Sequence, residues 1–177
     1  YKKVIEIEPN HAGAHYNLGI VFKELGENQK AISCFKKTIQ INPNFADAHN
    51  NLGVVFNELG EYKKAIVCYE KAIQIQPNYV NAHNNLGIVF NELGEDQKAI
   101  SSFQKAIQIS PDKVNAYNGL GNVLRKIGEY QKAINCYERA IQIQPGHADA
   151  HYNLGIVFKD MGEYQKAINC YELAIQI

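Results

Sequence analysis

Apolar positions recur along this chain at helical spacing, in short segments punctuated by glycine and proline. Between Ala46 and Leu59, the residues Leu52, Val55, Phe56 and Leu59 fall on one helical face. Gly60 follows, as glycine does just past a helix end. From Tyr62 to Ile75, the residues Ala65, Ile66, Tyr69, Ala72, Ile73 and Ile75 mark a second helix. Pro77 stops it, because proline cannot continue a helix and disfavours helical geometry at the residue before it. No strand pattern intervenes.

The whole unit then recurs. Pro9, Pro43, Pro77, Pro111 and Pro145 each stand 34 residues from the last. Glycine keeps the same period in two series, Gly19, Gly53, Gly87, Gly121, Gly155 and Gly26, Gly60, Gly94, Gly128, Gly162, and so does alanine at Ala31, Ala65, Ala99, Ala133 and Ala167. Counting from the third residue after each proline gives repeats 12–45, 46–79, 80–113, 114–147 and 148–177, with 1–11 the tail of an earlier repeat. Each repeat is predicted to be two antiparallel helices of roughly 13 to 14 residues, about 20 Å long. One pair cannot bury both its faces, so at least three must stack. The predicted fold is an all-α repeat array forming one domain over residues 1–177.

Gly53 and its equivalents lie mid-helix, where glycine costs about 1 kcal/mol relative to alanine. Close approach of the paired helices accounts for it, with Ala65 and its equivalents facing across and the ring of Tyr69 or Phe103 filling the space beside them.

These residues carry a resemblance. Leu-Gly in the first helix, an aromatic three residues on (Phe22, Phe56, Phe90, Phe158), then Gly, Ala, an aromatic, Ala and Pro in order resemble the tetratricopeptide repeat across essentially the whole chain. The fourth repeat position, often Trp in that family, is His15, His49, His83, Tyr117 and His151 here, and Thr38 and Val4 replace the late alanine. The resemblance implies a right-handed superhelical solenoid of helical hairpins, with first helices lining a concave groove and second helices on the convex side. It implies a module that binds proteins or peptides and catalyses nothing.

Composition narrows the partners. The 177 residues carry 18 Lys+Arg and 18 Asp+Glu, so formal net charge is zero, which argues against nucleic acid or an anionic membrane surface as partner. No run approaches 18 apolar residues, so no membrane span is expected. The chain opens on Tyr1-Lys2-Lys3 without Met or an apolar leader, as a mature segment or a fragment would. It stops at Ile177 without a polar closing helix, although terminal repeats need a polar outer face. End-to-end self-association through such uncapped repeats is therefore expected.

The residues that tempt a chemical reading are explained by the period. Zinc needs three or four ligands converging on one point, whereas a histidine column with one member per repeat diverges. No metal and no cofactor is expected. Cys34, Cys68, Cys136 and Cys170 share one position, with Ser102 in the missing slot, so the position takes a small side chain. Thiols one repeat apart stand beyond disulfide reach, and four unpaired thiols suit a reducing, cytoplasmic compartment. Gly119-Leu120-Gly121 follows no strand and lies within a helix, so it is no phosphate loop. Lysines such as Lys30 and Lys64 mixed with Glu70 and Glu138 on the second helices read as a solvated face.

The asparagines stand apart. Asn17, Asn51, Asn85 and Asn153 occupy the sixth position of four repeats, with Gly119 in the fifth, and Asn50, Asn84 and Asn118 sit beside them. Asparagine is a mediocre helix former, so its mid-helix placement needs a reason. By the resemblance, the sixth position faces the concave groove. A carboxamide offers an acceptor and two donors, so it can bond both C=O and N–H of one peptide unit and read backbone without reading sequence. Ile20, Val54, Ile88 and Ile156, with Lys23, Asn57, Asn91, Arg125 and Lys159, would complete the groove. If the asparagines face a ligand, alanine there should leave stability nearly unchanged. The alternative is that they are exposed helix positions in an asparagine-rich chain. The column is similar to that in the tetratricopeptide arm of O-linked N-acetylglucosamine transferases, which implies a possible role as the substrate-recruiting arm of a larger transferase.

Overall fold

A computed structural model describes residues 8–177, and ten α-helices with no strand are found among them. They are α1 (Ala12–Glu24), α2 (Asn28–Ile41), α3 (Ala46–Glu58), α4 (Tyr62–Ile75), α5 (Val80–Glu92), α6 (Asp96–Ile109), α7 (Val114–Lys126), α8 (Tyr130–Ile143), α9 (Ala148–Asp160) and α10 (Tyr164–Gln176). Val4 lies outside the described residues. Two compact units divide the chain within α5, at Asn85 and Leu86.

In the first unit, α1 pairs with α2 and α3 with α4, and α3 also packs on α2. Its core is built from small and ring residues: Ala31, Phe35, Ala48, Val55, Ala65, Tyr69 and Ala72 are all but sealed from solvent. In the second unit, α7 pairs with α8 and α9 with α10, while α7 packs on α6 and α9 on α8. Ala99, Phe103, Ala106, Ala116, Val123, Ala133, Tyr137, Ala140 and Val157 form its core.

The turn inside each pair follows from one residue. At Gly60, φ is 72°, a left-handed conformation open to glycine. There the Gly60 N–H bonds to the Asn57 carbonyl at 2.9 Å and the Glu61 N–H to the Phe56 carbonyl at 2.8 Å, closing α3 in a Schellman motif. Just beyond, Lys64 pairs with Glu61 and lies 5.3 Å over the Phe56 ring. Lys30, Lys98 and Lys166 repeat this arrangement on Phe22, Phe90 and Phe158.

The histidines serve the turn between pairs. Nε2 of His15, His49, His83 and His151 lies 2.9–3.0 Å from the carbonyl oxygens of Pro9, Pro43, Pro77 and Pro145. A carbonyl only accepts, so Nε2 donates, and each ring clamps the loop before its own helix. Thr38 is fully buried, and its hydroxyl donates to the Cys34 carbonyl at 3.0 Å, one helical turn back. That bond satisfies the one polar atom it adds to a position held by alanine at Ala72, Ala106 and Ala140.

Candidate functional site

Within each unit, sixth-position asparagines reach the fifth position of the preceding first helix, and a lateral hydrogen-bond ladder results. In the first unit, Asn51 Nδ2 donates to the Tyr16 hydroxyl at 2.9 Å and Asn85 Nδ2 donates to Asn50 Oδ1 at 3.1 Å. Asn50 Nδ2 links the two rungs through Asn51 Oδ1 at 3.5 Å. In the second unit, Asn153 Nδ2 donates to Asn118 Oδ1 at 3.0 Å. The rule is a sixth-position amide donating to the fifth position 35 residues earlier.

The ladder changes the sequence-based picture of these carboxamides as ligand-facing groups without structural work. One N–H of Asn51, Asn85 and Asn153 is committed inside the chain, so alanine there removes a bond between repeats as well as any ligand contact. Asn17 makes no such bond among the described residues. Asn50 and Asn84, 5% and 6% exposed, are turned into the packing, while Asn118 is half-buried. Asn84 Oδ1 is buried without a partner. Counting the same interval on from Asn84 reaches Gly119, which has no side chain to donate.

Gly119 has its own reason to be glycine. A Cβ there would stand 2.5 Å from the Phe103 ring, and one on Gly87 would stand 2.7 Å from the same ring. Phe103 therefore lies between two bare helix backbones, and an asparagine at position 119 has no room.

The apolar residues expected beside the asparagines are partly open: Ile88 is 38% exposed, while Ile20, Val54 and Ile156 are half-buried. At the helix ends, Lys23, Asn57, Asn91 and Arg125 are half-buried and Lys159 is exposed. Asn57 Oδ1 and Arg125 Nε are buried with no partner. Sequence reasoning missed two tyrosines of the first unit. The Tyr16 ring packs on Phe45 with centroids 4.9 Å apart, and its hydroxyl receives Asn51. Tyr79 donates its hydroxyl to Asp47 Oδ1. Burial, then that bond and the Asp47 charge, push the Tyr79 hydroxyl far above its usual range. Position five carries Tyr16 and Tyr152 as well as asparagines, and that hydrogen-bonding kinship was the available signal.

Among the described residues, no group of three or more His, Cys, Asp or Glu side chains is placed to hold a metal ion, and no helix is long and apolar enough to cross a membrane. The four cysteines are free thiols.

Helix pairs of this length, closed by left-handed glycines and stacked through small residues and rings, define an all-α helix-pair solenoid. A family model described as TPR repeat matches residues 21–60, 55–94, 89–128 and 121–162. Models described as tetratricopeptide repeat match residues 1–33 and 148–177. The chain belongs to the tetratricopeptide repeat family, whose repeats are modules of protein interaction. Among solved structures, it is similar to MamA at 27% identity, with a TM-score of 0.79 over 93% of this chain and 90% of that one. PilF of Pseudomonas aeruginosa shares 24% identity at a TM-score of 0.86, over 93% of this chain and 75% of that one. YrrB, a TPR protein with an unusual peptide-binding site, shares 24% identity at a TM-score of 0.75, over 99% of this chain and 90% of that one. No curated protein gives a significant match.

Proposed function

We propose that the chain is a non-catalytic scaffold that binds an extended peptide or protein segment on its first-helix face, gripping backbone through Asn17, Asn51, Asn85 and Asn153. The observation that carries this is the Asn85–Asn50 bond at 3.1 Å and its counterparts at Asn51 and Asn153. Each spends one N–H on fixing the carboxamide and leaves the second N–H for a peptide unit. Oδ1 is also open on Asn85 and Asn153, and a lone pair remains on Asn51, whose Oδ1 already accepts from Asn50 at 3.5 Å. An amide held in this way loses little freedom on binding, which favours affinity. Lys23, Asn57, Asn91, Arg125 and Lys159 supply polar contacts at the edge, with Asn50 and Asn118 holding Asn85 and Asn153 from below and Asn84 beside them.

The test uses a randomised twelve-residue peptide library selected on the immobilised chain, followed by affinity measurements on an enriched peptide. Each rung offers two neutral hydrogen bonds of about 0.5–1.5 kcal/mol net. One asparagine-to-alanine change should then weaken binding about tenfold. The triple change at Asn51, Asn85 and Asn153 should abolish it. N-methylating alternate amides of the peptide should do the same. A triple variant that binds as tightly as the parent would refute backbone reading.

A second reading, self-association, is favoured by the last helix pair. Tyr152, Ile156, Tyr171, Ala174 and Ile175 line an apolar cavity there, and Ile175 is 83% exposed. Sedimentation across a concentration series should show association that Ile175→Lys removes. A single monomeric species at all concentrations would sink it.

A further inference from the structure

Helix α7 departs from the other first helices at several positions, Tyr117 for histidine and Lys126 for an acid among them. It carries Gly119 where they carry asparagine, Asn122 where they carry Ile20, Val54, Ile88 and Ile156, and Leu124 where they carry phenylalanine. At the twelfth position it carries Arg125, where the others have Lys23, Asn57, Asn91 and Lys159. In this one repeat the backbone-gripping group is gone and the aliphatic floor has become polar.

The new polar groups converge. The Tyr137 hydroxyl, from α8, donates to Asn122 Oδ1 at 2.7 Å, which fixes the Asn122 carboxamide by its oxygen. Its Nδ2 finds no acceptor among the described residues. The Arg125 guanidinium lies beside the same hydroxyl, close enough to favour the ionised phenol against the effect of burial. Arg125 Nη1 reaches Asp160 Oδ2 only at a long 3.4 Å, and its Nε is buried with no partner. Lys126 is taken by Asp96 at 2.7 Å, whereas Lys159, next to Asp160 in the chain, has no acid partner among the described residues. Unused donors and positive charge thus exceed acceptors and negative charge at this spot.

We propose that Arg125 and Asn122 form a subsite for an acidic side chain, receiving the carboxylate of a Glu or Asp in the bound segment. The proposal rests on the peptide-binding reading above and deepens it. A carboxylate presents two oxygens to the guanidinium fork, a match that a neutral carboxamide makes with one oxygen only and a lysine opposes. Asparagines that grip backbone cannot tell one register of a peptide from the next. A single side-chain subsite in the repeat that lacks such a grip fixes the register.

The experiment is the same library selection, run in parallel on the parent chain, on Arg125→Asn and on Arg125→Lys. Asn57 and Asn91, Lys23 and Lys159 occupy this repeat position elsewhere, so both variants suit the helix, and their circular dichroism should match the parent's. Peptides enriched by the parent should share an acid at one fixed position. Replacing that acid by Gln should weaken binding about tenfold or more. Arg125→Asn should erase the preference, so that the acid and Gln peptides bind that variant within about twofold of each other, and Arg125→Lys should retain part of it. Enrichment without an acid at any fixed position, or an acid preference that survives Arg125→Asn, overturns the subsite and leaves peptide binding standing. If no peptide enriches at all, both readings fall together.

Discussion

A Cβ placed on Gly53 would stand 2.7 Å from the ring of Tyr69. The mid-helix glycine of α3 is therefore the seat of a ring from its partner helix α4. Tyr69 is 1% exposed and has nowhere to retreat. Alanine normally gains about 1 kcal/mol over glycine within a helix. Here overpacking opposes that gain, typically by 1–3 kcal/mol. Gly53→Ala should lower the thermal midpoint, and Tyr69→Leu in the same chain should recover part of the loss. A Gly53→Ala chain that melts higher than the parent would show that the ring yields.

The interrupted asparagine column gives a less intuitive expectation. Gly119→Asn restores the residue found at the sixth position of the other four repeats, yet its Cβ would stand 2.5 Å from the Phe103 ring. Restoring the pattern should destabilise the chain by about 1–3 kcal/mol. Phe103→Leu alone should also destabilise, by losing buried ring surface. The two changes together should cost less than their sum, measured by denaturant unfolding of the single and double variants. Additive losses would mean that Phe103 is not what excludes the side chain.

The fold was legible because its instructions repeat. Proline, glycine and alanine at one fixed interval mark helix ends and close contacts, and those meanings are local. The ring seated on Gly53 was also readable, since a costly glycine asks for a neighbour. The ladder was not readable. Asn51 and Tyr16 lie 35 residues apart, and nothing local says that a carboxamide will donate to a phenol there rather than to solvent or ligand. The histidines were legible as structural, but not as clamps on a proline carbonyl six residues back. For Gly119 the sequence showed only a gap in a column, and the cause lies in the Phe103 ring.

Burial decides the behaviour of the thiols. It raises Cys68 and Cys136 from 9.0 to about 11, and it raises Cys34 and Cys170 as well. Alkylation proceeds through the thiolate. At pH 8, Cys68 and Cys136 in the folded chain should therefore react roughly a hundredfold more slowly than in the denatured chain. A folded pKa above the unfolded one contributes stability that is intact below the unfolded value and lost as pH rises through the folded one. Stability should accordingly fall between pH 9.0 and about 11. Mass spectrometry after timed alkylation should find four free thiols, with Cys68 and Cys136 modified late. Rapid labelling of either at pH 8 would contradict the burial argument.

The Asn85–Asn50 bond separates support from contact. Asn50 is 5% exposed, accepts the Asn85 amide at 3.1 Å and reaches Asn51 Oδ1 at 3.5 Å, so on the peptide-binding proposal it would act on a ligand through those carboxamides, Asn85 foremost. Asn50→Ala should cost about 1–3 kcal/mol of stability, because it removes a buried polar group and leaves its partners unpaired. Asn85→Ala should cost less, since alanine recovers helix propensity where the bond is lost. A double-mutant cycle on stability should return a coupling of about 0.5–1.5 kcal/mol, the worth of one bond between repeats. On affinity for an enriched peptide the order should invert. Asn85→Ala removes the gripping group and weakens binding about tenfold, whereas Asn50→Ala only loosens its orientation and should weaken binding by about threefold or less. Adding Asn50→Ala to Asn85→Ala should then change affinity little further, because the group that Asn50 holds most closely is already absent and its bond to Asn51 is the longer one. Equal losses of affinity from the two single changes, with a further loss in the double, would mean that Asn50 meets the ligand directly and that the ladder does not orient the grip.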